Sequence, residues 1–107
     1  MNHVLIMANG EQAAGLTLER ILMDRIAREQ DKLELSDKKL GDIAFSFLSD
    51  TQKKVNNLKH GRRRLTMSDY YQLCRALNLQ ADRIMSRALD ELDEELSQHP
   101  NNKAAAG

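Results

Sequence analysis

The stretch SDTQKKVNNLKHG, residues 49–61, carries the start and end signals of a short helix. Ser49 and Gln52 have the spacing of a capping box, in which each side chain bonds to a backbone amide of the other residue. Gly61 is the residue type that most readily adopts the left-handed conformation at which helices stop. The pattern predicts a capped, polar helix that begins at Ser49 and ends before Gly61.

Two amphipathic segments precede this helix. The first begins at Thr17, a capping residue, and extends to about residue 29 with apolar side chains at helical spacing. The second begins at the cap Ser36, and its apolar side chains follow the i, i+3, i+4 rule of one buried face. The residues expected on that face are Leu40, Ile43, Ala44, Phe47 and Leu48.

Two further helices are predicted downstream. Thr66 and Asp69 form a second capping box, and the last helix begins near Ala81 and cannot continue past Pro100. The residues expected on the inward face of the fourth helix are Met67, Tyr70, Leu73, Cys74 and Leu77. With no Trp, two Phe and two Tyr, the composition also favours helices over strands. We therefore predict an all-α fold of five helices with an extended C-terminal helix.

The length of 107 residues and the 41% hydrophobic content suit one modest core. Residues 1–16 contain two glycines and lack a helical period, so they are predicted to be a flexible arm, partly extended at residues 4–7. Residues 17–98 form the predicted domain, and residues 99–107 a disordered tail. No apolar run is long enough for a membrane span or a signal sequence.

Several chemistries are disfavoured by the residues present. Gly10 and Gly15 have the spacing of a phosphate-binding loop, but Leu16 stands where that loop requires lysine. The three histidines lack metal-ligand spacing, so we expect no enzyme, no metal and no cofactor. Cys74 is the single cysteine, which excludes an internal disulfide and indicates a buried structural thiol in a reducing cytoplasm.

Basic residues are concentrated in one part of a chain whose 16 basic and 16 acidic residues balance. No acid occurs between residues 51 and 67, and the basic residues there are Lys53, Lys54, Lys59, Arg62, Arg63 and Arg64. If Val55 and Leu58 anchor the third helix inward, its outward residues are Thr51, Gln52, Lys53, Asn56 and Asn57. A short, polar, capped helix after a tight turn has helix-turn-helix geometry, and these side chains can bind base edges in a major groove.

The stretch GRRRLTMSDYYQLCRALNLQADRIM, residues 61–85, resembles the lambda-repressor-like (Cro-like) helix-turn-helix family in its order of glycine, basic loop and capped helix. The resemblance extends over roughly residues 17–85. It implies that Gln52 and Lys53 contact bases, and that phosphates are bound by Lys59, Arg62, Arg63 and Arg64. The small residue expected in the second helix is Gly41 or Ala44, and either choice requires a longer helix or a wider turn before Val55.

The expected function is that of a sequence-specific transcriptional regulator, a phage-type or bacterial repressor that binds a pseudo-palindromic operator in double-stranded DNA as a homodimer. The residues expected at the dimer interface have 4-3-4 spacing and are Met85, Leu89, Leu92 and Leu96, although this stripe could instead cover the domain's own core. Two alternatives stay open. One is a DNA-binding antitoxin whose residues 1–16 dock on a toxin, and the other is a protein-interaction adaptor that no longer binds DNA.

Overall fold

The computed structural model describes residues 2–98, with side chains from residue 13 onward. Over this part of the chain it contains five helices and no strand, which confirms the all-α prediction. The helices are α1 (Asn2–Lys32), α2 (Asp37–Ala44), α3 (Thr51–Lys59), α4 (Met67–Ala76) and α5 (Ala81–Gln98). No helix within residues 2–98 has both the length and the apolar character needed to cross a membrane.

The helices surround one apolar core to which each of them contributes. Its most deeply buried side chains are Ile21, Ile26, Leu40, Phe45, Val55, Leu73, Cys74 and Ala88. Arg20 of α1 pairs with Glu95 of α5, and Arg25 pairs with Glu91. Because the residue numbers of the partners run in opposite directions, α1 and α5 are antiparallel. This packing leaves α2, α3 and α4 on the remaining sides of the core.

The first helix is longer than predicted. It begins at Asn2, so the segment expected to be an arm with an extended stretch at residues 4–7 is helical, and the predicted start at Thr17 is wrong. The Thr17 hydroxyl donates to the Ala13 carbonyl at 2.7 Å, a bond made inside a helix rather than at a cap. Gly10 and Gly15 each weaken a helix by about 1 kcal/mol, which is too little to stop it without a proline. The predicted tail, residues 99–107, lies outside the described residues.

The second helix is shorter than predicted, because it ends at Ala44. Phe45 turns into the core, whereas Phe47 is 73% exposed, and Ile43 and Leu48 are also exposed. The predicted buried face therefore holds only for Leu40 and Ala44. Helical spacing continues in the sequence after Ala44, but burial of the aromatic ring of Phe45 redirects the backbone. The connection to α3 is thus a wide turn, residues 45–50, rather than a longer helix.

The helix boundaries agree well with the capping signals. The side chain of Ser36 accepts from the Lys39 amide at 3.0 Å, and that of Thr66 accepts from the Asp69 amide at 3.0 Å. Gly61 has the predicted left-handed conformation, with φ of +70°. The cap of α3 is one residue off, since Asp50 rather than Ser49 accepts from the Lys53 amide. Along α4 only Met67 departs from the predicted inward face, since it is 69% exposed.

Candidate nucleic-acid interface

The third helix packs against α2 at an unusually close approach. A Cβ atom added to Gly41 would lie 2.6 Å from the Thr51 carbonyl oxygen and 2.7 Å from the Thr51 Cβ. No side chain fits at that separation, so only glycine allows the two helices to meet here. Gly41, rather than Ala44, is therefore the small residue at the α2–α3 crossing.

Thr51 is a structural residue at the start of α3. It is only 5% exposed, and its Oγ1 donates to Asp42 Oδ1 at 2.6 Å. This hydrogen bond is the main cause of the lowered pKa of Asp42, which keeps that carboxylate an acceptor. The prediction that Thr51 faces outward toward a ligand is therefore wrong. Together with the glycine contact, the bond fixes the angle at which α3 leaves α2.

The other predicted outward residues of α3 divide into two pairs. Gln52 and Lys53 are exposed, and their side chains form no hydrogen bond or ion pair within the described part of the chain. Asn56 and Asn57 are half-buried, and Arg62 Nη1 lies 3.1 Å and 3.5 Å from their respective Oδ1 atoms. One pair is thus free to bind a ligand, whereas the other is held in position by an arginine.

A shallow groove of about 290 Å³ brings three of the predicted residues together. Lys53 and Asn57 line it from α3, and Arg63 lines it from the loop that follows. Leu48, from the wide turn, contributes apolar surface to the same groove. Sequence analysis missed Leu48 because its spacing suggested a buried position. The groove thus combines the cations of Lys53 and Arg63 with an amide and an apolar group, and its lining also includes the carboxylate of Asp50.

Two of the predicted phosphate-binding residues are paired with acids of the same chain. Lys59 Nζ donates to Asp37 Oδ1 at 2.8 Å, and Arg64 Nη2 donates to Glu19 Oε2 at 2.6 Å. The hydrogen bond from Arg64 is the main cause of the lowered pKa of Glu19. Burial raises the pKa of Asp37, but the bonds from Lys59 and Gln30 outweigh it and leave that pKa low. Both acids are therefore charged near neutral pH and compete with any phosphate for these cations.

Lys54 also lines the groove beside α3, but its positive charge is already engaged within the domain. Its Nζ lies 2.9 Å from Asp69 Oδ1 and 4.3 Å from the centre of the Phe45 ring. The Lys54 and Asp69 side chains are 10% and 9% exposed. The ammonium is thus enclosed between a carboxylate and an aromatic face. Among the basic residues predicted for this surface, those that are exposed and have no acidic partner within residues 13–98 are Lys53, Arg62 and Arg63.

The apolar stripe predicted on α5 is partly used by the protomer itself. Met85 and Leu92 pack against the core, whereas Leu89 is 42% exposed and Leu96 is 37% exposed. The two outer leucines thus retain apolar surface on one side of the helix. Cys74 is buried as predicted, and burial raises the pKa of its thiol.

Asp37, Asp42 and Glu19 all act on the candidate site, and sequence analysis identified none of them. Asp42 lies one residue after the glycine at the helix crossing, and Asp37 follows the Ser36 cap, but neither position reveals its distant partner.

Comparison of the chain with protein-family models, curated protein sequences and solved structures returned no match.

Proposed function

We propose that the chain is a sequence-specific DNA-binding protein of the lambda-repressor-like kind, acting as a cytoplasmic transcriptional repressor. The observation that supports this most is the way in which α3 is held. Gly41 and Thr51 fix it against α2, while the side chains of Gln52 and Lys53 at its start are exposed and have no polar partner within residues 13–98. A rigidly supported helix with free polar side chains at its N-terminal end has the geometry of a recognition helix.

The chemistry of each side chain indicates whether it is proposed to contact a base or a phosphate. Gln52 suits an adenine edge and Lys53 suits guanine. Arg62 orients Asn56 and Asn57, so that these amides join the base-contacting set only as an ordered unit. Arg63 is exposed and unpaired within residues 13–98, which makes it the main phosphate contact in this proposal.

Lys59 and Arg64 are proposed to contribute less than Arg63 to phosphate binding. Each would have to share or leave a carboxylate partner before binding phosphate, and this cost reduces the net gain. Arg64 is 67% exposed at its side chain, so it can contact DNA while keeping one bond to Glu19. Lys59 is more enclosed and serves chiefly to hold the start of α2 against the end of α3.

A homodimer completes the proposal, because one short helix binds too few base pairs for an operator. The exposed sides of Leu89 and Leu96 are the proposed contact between α5 helices. Two copies of α3 would then lie in successive major grooves, roughly 34–36 Å apart. Light scattering at high micromolar concentration checks this part, and a monomeric wild-type protein would contradict it.

The decisive experiment selects bound duplexes from a random DNA pool and then measures affinity across salt. Gln52→Ala and Lys53→Ala should each cost about 1–3 kcal/mol on the selected site and much less on scrambled DNA. Arg63→Gln should weaken both duplexes and lower the log–log salt slope by about 0.9 for each lost phosphate contact. Arg75→Gln on α4, an exposed arginine outside the candidate site, is the matched control and should change neither.

Equal losses on both duplexes for Gln52→Ala and Lys53→Ala would refute the assignment of α3. A second candidate function, an antitoxin or adaptor that binds another protein, is favoured by the exposed Ile43 of α2 and Phe47 of the turn that follows. Wild-type protein that selects no duplex and shows no salt-dependent DNA binding would favour the adaptor and reject the repressor.

A further inference from the structure

A second group of basic side chains lies in a groove between α1 and α5. Its volume is about 470 Å³, and none of its lining residues belongs to α2, to α3 or to the loop that follows α3. We name it the basic groove. Its charged lining residues are Arg25, Arg28, Glu29, Lys32, Arg83 and Arg87.

Two of the cations in the basic groove are already neutralised. Arg25 pairs with Glu91, and Lys32 Nζ lies 2.7 Å from Glu29 Oε2. The other three, Arg28, Arg83 and Arg87, have no carboxylate within ion-pair distance among the side chains of residues 13–98. The groove therefore holds three uncompensated positive charges.

This clustering contrasts with the rest of the domain. Half of the other basic side chains within residues 13–98 have an acidic partner, namely Arg20, Lys38, Lys54, Lys59 and Arg64. Of the unpaired cations in that part of the chain, Lys53, Arg62 and Arg63 lie beside α3, where they are assigned to DNA contacts, and Lys39 and Arg75 lie on α2 and α4, outside the basic groove. Like charges held together repel one another, and an anion between them removes that repulsion. The three arginines thus mark a second anion-binding surface.

The chemistry of the lining favours phosphate. Guanidinium groups match phosphate oxygens through paired hydrogen bonds, and the amides of Asn78 and Gln80 add neutral donors at the start of α5. A phosphate group carries a charge of about −1.5 to −2, so two such groups match the uncompensated charge of the groove. We infer that the basic groove binds a small anion bearing two phosphate groups.

The limits of the cationic surface indicate a small ligand rather than a polymer. On α5 the exposed Asp90 lies three residues after Arg87, and on α1 the two cations on either side of Arg28 are already paired with acids, so the unpaired cationic surface is short along both helices. A duplex would need a continuous basic band. Leu79 and Ile84 add apolar surface to the lining, and the volume lies within the range of small-molecule sites. This inference does not depend on the proposed DNA binding.

The test is calorimetric titration of the full chain with pyrophosphate, together with thermal melting in its presence. Wild-type protein should bind pyrophosphate and melt at a higher temperature when it is present. The Arg83→Gln/Arg87→Gln double variant should bind at least about tenfold more weakly, and Arg28→Gln alone should weaken binding as well. All of these changes are at exposed positions, and melting without ligand verifies that each variant is folded. Arg75→Gln is the control and should behave as wild type.

Two further measurements distinguish binding in the basic groove from binding at the surface beside α3. Arg62→Gln/Arg63→Gln should leave pyrophosphate affinity unchanged, so loss of binding in that variant would overturn the inference. Random-sequence duplex provides the other source of phosphate. If Arg83→Gln/Arg87→Gln weakens duplex binding while wild type shows neither heat nor stabilisation with pyrophosphate, the groove contacts DNA and the small-ligand inference fails. Absence of any pyrophosphate effect overturns it in every case.

Discussion

The enclosed pair of Lys54 and Asp69 should behave very differently from the ion pairs on the surface. Lys54→Met keeps most of the apolar stem but removes the ammonium, which leaves the 9% exposed Asp69 side chain without its cation. Asp69 Oδ2 is already buried without a hydrogen-bond partner in the described part of the chain. Removing one member of such a pair typically costs about 3–5 kcal/mol.

The contact between the ammonium and Phe45 is lost as well, and a desolvated interaction of this kind contributes about 2 kcal/mol or more. For a domain whose total stability is of the order of 5–15 kcal/mol, the change removes a large share. The midpoint of thermal unfolding should fall by more than about 10 °C. By contrast, Lys54→Met/Asp69→Leu removes both charges and should recover most of the stability, since hydrophobic replacement of a buried pair is often neutral or favourable.

Urea unfolding of the single and double variants measures the coupling directly. Lys38→Met is the matched control, because the Lys38–Asp42 pair has a similar distance of 2.9 Å but side chains that are 68% and 47% exposed. It should destabilise the protein far less than Lys54→Met does, because an exposed ion pair contributes little. The explanation would be refuted if Lys54→Met cost as little as Lys38→Met, or if the effects of changing Lys54 and Asp69 were additive.

Three other changes test the helix crossing, the buried thiol and one exposed ion pair. Gly41→Ala should destabilise the protein by about 1–3 kcal/mol in the same urea assay, because the Thr51 backbone cannot move aside. Gly15→Ala, at an open helical position, should instead stabilise the protein by up to about 1 kcal/mol. Cys74→Ala should cost about 1 kcal/mol through a small cavity, and the native thiol should resist a thiol-specific reagent at pH 7 until the protein unfolds, since burial raises its pKa. The Glu19–Arg64 pair should stabilise the fold above pH 4.5, the ordinary pKa of Glu19, and this stability should be lost as pH falls through the lower pKa of the folded state. Glu19→Gln should therefore reduce the loss of stability between neutral and acidic pH, and an unchanged pH dependence would contradict the assignment.

The helix boundaries could be predicted from sequence where a signal was local. Ser36, Thr66 and Gly61 act within one helical turn, so their side-chain chemistry is enough to indicate where a helix begins or ends. The length of α2 could not be predicted in the same way. Apolar spacing continues through Phe47 and Leu48, and only the packing of Phe45 in the core ends the helix.

The composition of the candidate site was predictable only in part. Gln52, Lys53 and Arg63 are accessible, as their polar character suggests. Lys54 and Lys59 look equivalent to them in sequence, yet each is paired with an acid from another helix. Such pairing depends on how α2 and α4 pack against α3, which the order of charges along the chain does not reveal. The outward orientation predicted for Thr51 is wrong for the same reason, because its hydroxyl donates to Asp42 of the neighbouring helix α2.

The close contact between α2 and α3 has a consequence for how this protein can diversify. The residues that hold α3 in place, chiefly Gly41, Thr51 and Val55, are different from the exposed Gln52 and Lys53. Surface substitutions away from packing contacts usually alter stability by no more than about 0.5 kcal/mol. Under the proposed function, descendants of this sequence could exchange the exposed pair and acquire new operators while the scaffold stays intact. Under that proposal, base recognition can change at two positions of the nine-residue α3 without altering the residues that hold the helix in place.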